Sequence, residues 1–117
     1  MKYVYASRSS KTEKLVQSLN LEALKIQDGS EVIGEDFLLF TYTDGNGIVP
    51  KVVIEFLKHN GSNLKGVIAT GSMARHADTF CFAGDIIAKD YQVPCLGKID
   101  GAGDNDSIAA LKNDLGL

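Results

Sequence analysis

Apolar positions along the chain switch between strand-like alternation and helix-like spacing. Tyr3-Val4-Tyr5-Ala6 opens as a short strand, and the polar stretch Ser7 to Thr12 interrupts it. Leu15, Val16 and Leu19 then fall at helical spacing, which predicts a helix over Lys11 to Asn20. Leu24 and Ile26 alternate around Lys25 as a short second strand, and the polar run Asp28 to Asp36, with its two glycines, reads as a loop. Phe37-Leu38-Leu39-Phe40-Thr41-Tyr42 is a continuous apolar run bounded by turn residues, the pattern of a strand buried on both faces. The cluster Thr43-Asp44-Gly45-Asn46-Gly47 is a strong turn signal. Pro50 suits the first turn of a helix, where its missing N–H costs nothing. Val49, Val52, Val53, Phe56 and Leu57 form the apolar stripe of that helix, and His59-Asn60-Gly61 stops it.

Gly66-Val67-Ile68-Ala69-Thr70 is the fourth strand, followed by a loop from Gly71 to Ala77. Phe80, Ala83, Ile87, Ala88 and Tyr91 define a third helix, Pro94 ends any continuation, and Cys95-Leu96-Gly97-Lys98-Ile99 is a fifth strand. Asp104 or Asp106 caps a last helix carrying Ile108, Leu111 and Leu115. Five strands alternating with four helical segments imply an α/β fold with a mostly parallel sheet covered on both faces. The second strand leads to the third through a loop. No repeat or interdomain linker interrupts the pattern, so residues 1–117 are expected to form a single domain.

Composition narrows the function classes. A formal charge of -3 gives no basic face for nucleic acid. No apolar run approaches the roughly 20 residues of a membrane span. The opening Met1-Lys2-Tyr3-Val4-Tyr5 reads as a strand and not a signal peptide, so a cytoplasmic location is expected. Cys81 and Cys95 form no CxxC, and His59 and His76 add no ligand spacing. Two reduced, half-buried thiols and no metal site are the expectation.

In an open parallel sheet, ligands bind beyond the carboxyl ends of the strands, near the point where strand order reverses. The informative loops are therefore those after strands one, three and four. The first, Ser7-Arg8-Ser9-Ser10-Lys11-Thr12, runs directly into a helix. Backbone N–H groups at a helix start converge on an anion. Hydroxyl donors and two cations strengthen that cradle, although simple N-capping by Ser9 or Ser10 explains the same residues. It is neither a P-loop nor a GxGxxG. The second loop, Tyr42-Thr43-Asp44-Gly45-Asn46-Gly47, offers an aromatic face and glycines that let backbone approach a flat ligand, or it is a plain turn. The third, Thr70 to Phe80, is long for a βα connection, and such loops are usually functional. Thr70, Gly71, Ser72 and Met73 begin it, and Met73 and Phe80 are placed to border a planar ring. His76 fits a surface or capping role better than catalysis, because no nucleophile or carboxylate is spaced beside it. Asp78 is expected to N-cap the third helix.

No hydrolytic constellation is present, neither GxSxG nor HExxH. A phosphate cradle beside two glycine-containing loops suggests instead a flat phosphorylated cofactor, and for a doubly wound sheet of this kind that is FMN. The cofactor then carries the chemistry, while the protein orients it and sets its electrostatics.

These residues resemble a known family. Tyr5-Ala6-Ser7-Arg8-Ser9-Ser10-Lys11-Thr12 is similar to the serine/threonine-rich phosphate loop of NrdI flavoproteins. Thr41-Tyr42-Thr43, the glycines after it, Val49-Pro50 and Val53-Ile54-Glu55-Phe56-Leu57 resemble their second segment. Gly66-Val67-Ile68-Ala69-Thr70-Gly71-Ser72 resembles their Gly-Val-Ile-Ala-Ser-Gly-Asn strand and loop. Ala83-Gly84-Asp85-Ile86-Ile87-Ala88-Lys89 and Gln92-Val93-Pro94 resemble the third helix and the approach to the next strand. The resemblance implies a flavodoxin-like, three-layer, doubly wound sheet of five parallel strands in the order 2-1-3-4-5, with FMN bound non-covalently. It also implies a partner, the NrdF small subunit of class Ib ribonucleotide reductase. There, reduced flavin reacts with oxygen and the oxidant passes to the partner's dimanganese site to generate a tyrosyl radical. A flavodoxin or ferredoxin-type reductase is the implied electron source.

The chain departs from the family pattern at three places. Ser72 stands where Asn is frequent, Ala77 where Gly is common, and Asp100-Gly101-Ala102-Gly103-Asp104 replaces a Glu-Leu-x-Gly-Thr. The candidate loops carry Arg8, Lys11, Lys51, Arg75 and His76 against Asp44 and Asp78, so the anionic two-electron-reduced flavin is expected to be comparatively accessible. Two other readings stay open at this point: a generic electron-transfer flavodoxin, and a cofactor-free interaction module on the same fold.

Overall fold

Side chains alternate between the two faces of a strand, and the apolar run at positions 37–42 divides accordingly. Phe37 and Leu39 pack on one side with Val4, Val53, Phe56, Val67 and Ile87. Leu38 and Phe40 pack on the other with Leu15, Val16, Ile68, Ile99 and Leu111. A strand with both faces buried must sit in the middle of a three-layer structure. The computed structural model, which describes residues 1–45 and 47–117, has that form. Strands β1 (Lys2–Tyr5), β2 (Leu24–Lys25), β3 (Phe37–Tyr42), β4 (Leu64–Gly71) and β5 (Cys95–Asp100) make one sheet in the order β2-β1-β3-β4-β5. All four of these pairings are parallel. Helices α1 (Lys11–Ser18) and α5 (Asn105–Asp114) cover one face, and α2 (Lys51–Asn60) and α4 (Phe82–Tyr91) the other. The rings of Phe37 and Phe56 meet edge to face, with centroids 5.6 Å apart. Aromatic pairs in that geometry add about 1 kcal/mol beyond the area they bury.

The helix termini follow local chemistry. Asp104 caps α5: its Oδ1 accepts the Ser107 N–H at 2.8 Å, and Ser107 Oγ accepts the Asp104 N–H at 2.9 Å. That reciprocal capping box is worth about 1 kcal/mol. Pro50 stands one residue outside α2, with an extended ψ of 142°.

Two segments differ from the sequence reading. The third loop is not open: it folds into a four-residue helix, α3 (Met73–His76), and a 3-10 turn over Ala77–Thr79. Ser72 Oγ caps α3 by accepting the Arg75 N–H at 3.2 Å. Asp78 lies in the 3-10 turn, so it does not cap the following helix. That helix starts at Phe82, and Cys81 takes the capping position at φ 56° without a side-chain bond. The Cys81 thiol is fully buried and donates to the Ala69 carbonyl at 3.4 Å. A buried cysteine, and not the exposed Asp78, thus stands at the start of the helix. Phe80, expected within that helix, lies between the 3-10 turn and Cys81.

The β2–β3 connection has no helix and is held by side chains instead. Asn60, 1 % exposed, accepts the Ile33 N–H and donates to the carbonyls of Glu31 and Phe56. Glu31 accepts the Gln27 and Gly29 N–H groups at 2.6 and 3.0 Å. Both cysteines are free thiols; burial pushes Cys81 up to about 12.

Candidate functional site

Strand order reverses between β1 and β3, so their connections leave to opposite faces and part at the carboxyl edge of the sheet. A cavity of about 710 Å³ opens there. Arg8, Ser9 and Lys11 line it from the β1–α1 loop. Tyr42, Thr43, Asp44 and Gly45 line it after β3, and Thr70, Gly71, Ser72 and His76 after β4. All three loops singled out from the sequence therefore contribute to one wall. Two other concavities, of about 830 Å³ each, lie elsewhere. One surrounds Lys58, Lys65 and Tyr91 at the amino ends of β4 and β5, and the other borders Lys2, Glu22 and Val32 beside β2. Neither is at the carboxyl edge where a doubly wound sheet binds ligands.

The remaining candidate residues take other places. Ser10 sits at φ 62° immediately before α1, and its hydroxyl makes no capping bond, so the first-turn N–H groups receive no help from it. Thr12 is buried, and its hydroxyl bonds that of Thr70 at 3.0 Å, which ties α1 to β4 behind the cavity. Gly47 packs against α4: a Cβ there would come within 2.9 Å of Thr79 and of the Phe82 ring. Met73 is half exposed, and its N–H donates to Asp100 Oδ1 at 3.1 Å. Phe80 borders Gly71 from behind, and Asp78 is exposed. Asn46 lies outside the described residues.

The sequence reading counted Arg75 among the charges of the candidate loops but named neither it nor Thr79 or Gly101 as cofactor-binding, yet all three line the cavity. Arg75 and Thr79 face it because the third loop coils instead of extending. Gly101 follows β5, and the rule that ligands sit at carboxyl ends of strands would have reached it.

Two features suit this cavity to a polar ligand. Ser7 Oγ and Thr43 Oγ1 are buried, and neither has a hydrogen-bond partner among the described residues. An unsatisfied buried hydroxyl costs about 1–3 kcal/mol. Thr43 lines the cavity after β3, and Ser7 stands in the β1–α1 loop next to Arg8, which lines it. The second feature is charge: Arg8, Lys11 and Arg75 oppose Asp44 around the wall. Arg8 donates to Asp44 Oδ1, and its guanidinium lies 5.3 Å from the Tyr42 ring centroid. Burial pushes the Tyr42 hydroxyl upward, Asp44 adds to the shift and Arg8 opposes it. Gly71 is required by close approach, since a Cβ would stand 2.9 Å from the Cys81 nitrogen.

A parallel sheet of this order, with a polar cavity at its switch point, is the architecture of flavodoxin-like proteins. The solved structures agree on the fold. Flavodoxin 1 from Bacillus cereus superposes with a TM-score of 0.71 at 17 % identity, covering 97 % of this chain and 92 % of its own. A Fusobacterium nucleatum flavodoxin bound to flavin mononucleotide gives 0.67 at 15 % identity, covering 99 % and 96 %.

Within that architecture the chain belongs to the NrdI family. The family model described as NrdI, flavodoxin like, matches residues 3–113. The NrdI protein of a Ruegeria species is 40 % identical over 116 residues, spanning 92 % of this chain and 82 % of the relative. That of Rhizobium leguminosarum bv. trifolii is 37 % identical over 118 residues, 93 % and 87 %. Among the described residues no helix is long and apolar enough to cross a membrane.

Proposed function

We propose that this chain binds FMN in the cavity at the β1/β3 switch point and serves class Ib ribonucleotide reductase. In that role it supplies oxidant or electrons for assembly of the dimanganese-tyrosyl radical cofactor of the small subunit, NrdF. The observation that carries the FMN reading is the pair of unpartnered buried hydroxyls, Ser7 Oγ and Thr43 Oγ1. The ribonucleotide reductase role rests on family membership.

Ser7, Ser9, Ser10, Lys11 and the first turn of α1 would hold the phosphate. Their N–H and hydroxyl donors converge there, and the helix dipole favours an anion. Thr12 and Thr70 would keep that turn in register through their shared hydrogen bond. Tyr42, Thr43, Gly45, Gly71, Ser72 and His76 would border the ring, with Gly71 keeping the wall thin. When bound, the flavin supplies one- and two-electron redox chemistry. Arg8, Lys11 and Arg75 set a positive potential at the wall, which favours an anionic reduced ligand. Residues 1–117 would act as one domain in the cytoplasm, with electrons supplied by a flavodoxin or ferredoxin-type reductase.

The test has two parts. Purified protein should quench the fluorescence of added FMN, and it should be retained on immobilised NrdF. Absence of quenching favours a cofactor-free interaction module. FMN binding without NrdF retention favours a general electron carrier.

A further inference from the structure

The pair formed by Arg8 and Asp44 joins, at the cavity wall, the two loops that part at the switch point. Arg8 Nη1 donates to Asp44 Oδ1, and the same guanidinium lies 5.3 Å from the centroid of the Tyr42 ring. All three side chains line the cavity wall. Asp44 is held from behind: its N–H donates to the Ile48 carbonyl, and its own carbonyl accepts the N–H groups of Gly47 and Ile48. The carboxylate therefore has a fixed backbone, while Arg8 reaches it on a long side chain that is 65 % exposed.

Two opposite charges close together and beside the same ring cancel at a distance. Any group seated within the cavity experiences the difference between them. Removing either partner leaves the other uncompensated at the wall, and the sign of the field then depends on which one remains. A two-electron-reduced flavin that holds one proton carries a negative charge on its ring, so its stability reads that field directly.

We propose that Arg8 and Asp44 form a charge clasp over Tyr42 that sets how readily a flavin in this cavity accepts its second electron, with Arg8 favouring the step and Asp44 restraining it. This rests on the FMN reading above. Asp44 is thereby assigned as a tuning residue and not as a direct ligand. Because the pair is partly exposed, its effect should weaken as salt rises past the Debye screening regime.

The experiment is a dithionite titration of the FMN-loaded protein, followed by absorbance, for the parent, D44N, R8Q and the double variant. D44N should raise the equilibrium constant for the second electron, R8Q should lower it, and the double variant should return close to the parent. Each single change should be about threefold to tenfold; tenfold corresponds to about 59 mV for one electron. Single variants that stay within about twofold of the parent, or that move in the same direction, overturn the proposal. If the parent binds no FMN, the FMN reading fails on its own account, and the clasp is then read in the ligand-free protein. There, the tyrosinate absorbance assigned to Tyr42 by difference from Y42F should titrate at lower pH in D44N and at higher pH in R8Q. Identical Tyr42 titrations in all variants overturn the clasp itself.

Discussion

Gly71 and Gly45 both face the cavity, but they are glycines for different reasons. At Gly71 the space for a side chain is taken: a Cβ would sit 2.9 Å from the Cys81 backbone nitrogen and 3.2 Å from the Phe80 ring. Backbone cannot give way cheaply there, so Gly71→Ala should cost about 1–3 kcal/mol of stability by overpacking. It should also weaken FMN binding, since the displaced wall is the cavity's own. Gly45 has open space around it, and only its φ of 43° resists substitution. Gly45→Ala should cost about 1 kcal/mol, the penalty of the left-handed region for an ordinary residue. Urea unfolding reads the stabilities, and FMN quench titration reads the affinities. Equal effects at both positions, or unchanged affinity in both, would argue against these loop assignments. The sequence marked both as glycines near a turn, but it could not separate a steric demand from a torsional one, because the atoms that crowd Gly71 come from ten residues further on.

At the scale of the element, the segment between β2 and β3 shows what replaces a helix. A crossover without secondary structure leaves its backbone groups without ladder partners. Asn60, at the last turn of α2, supplies two: its amide serves Ile33 and Glu31 in the connection, and it also bonds the Phe56 carbonyl of its own helix. Its position in the His59-Asn60-Gly61 stop signal gave no hint of this, since its two partners in the connection lie almost thirty residues upstream. Asn60→Ala should destabilise the protein by about 2–4 kcal/mol, a sum of three net hydrogen bonds at roughly 1 kcal/mol each. The amide of Ile33 should then exchange much faster with solvent. A loss below about 1 kcal/mol would show that the connection is held by its apolar contacts instead. The third loop teaches the same lesson from the other side. Its length marked it as functional, but coiling into α3 and a 3-10 turn is what directs Arg75 and Thr79 inward.

For the whole molecule, the acidic groups with perturbed titration predict how stability responds to pH. Burial pushes the Glu31 carboxyl up, but the N–H groups of Gln27, Asp28 and Gly29 outweigh it and hold the group below its usual 4.5. Hydrogen bonds from Ser107 and Ser30 likewise hold Asp104 and Asp28 below 3.8. A carboxyl depressed in the folded state contributes its full stabilisation above its unfolded value and loses it as pH falls through the folded one. The urea midpoint should therefore lose nothing to these groups above pH 4.5 and should fall progressively below it, and Glu31→Gln should flatten part of that fall. A midpoint that rises on acidification below pH 4.5 would contradict the assignment. The sequence by itself determined the layered α/β architecture, because apolar periodicity reports burial on one or both faces and the strands alternate with helices along the chain. It also singled out the loops that line the cavity, since parallel strands all present their carboxyl ends to one edge. The tertiary structure alone decided which hydroxyls are buried without partners, where α4 begins, and that Arg8 meets Asp44 over Tyr42. Those outcomes depend on contacts between residues far apart in the chain, and local pattern carries no information about such contacts until the sheet brings the loops together.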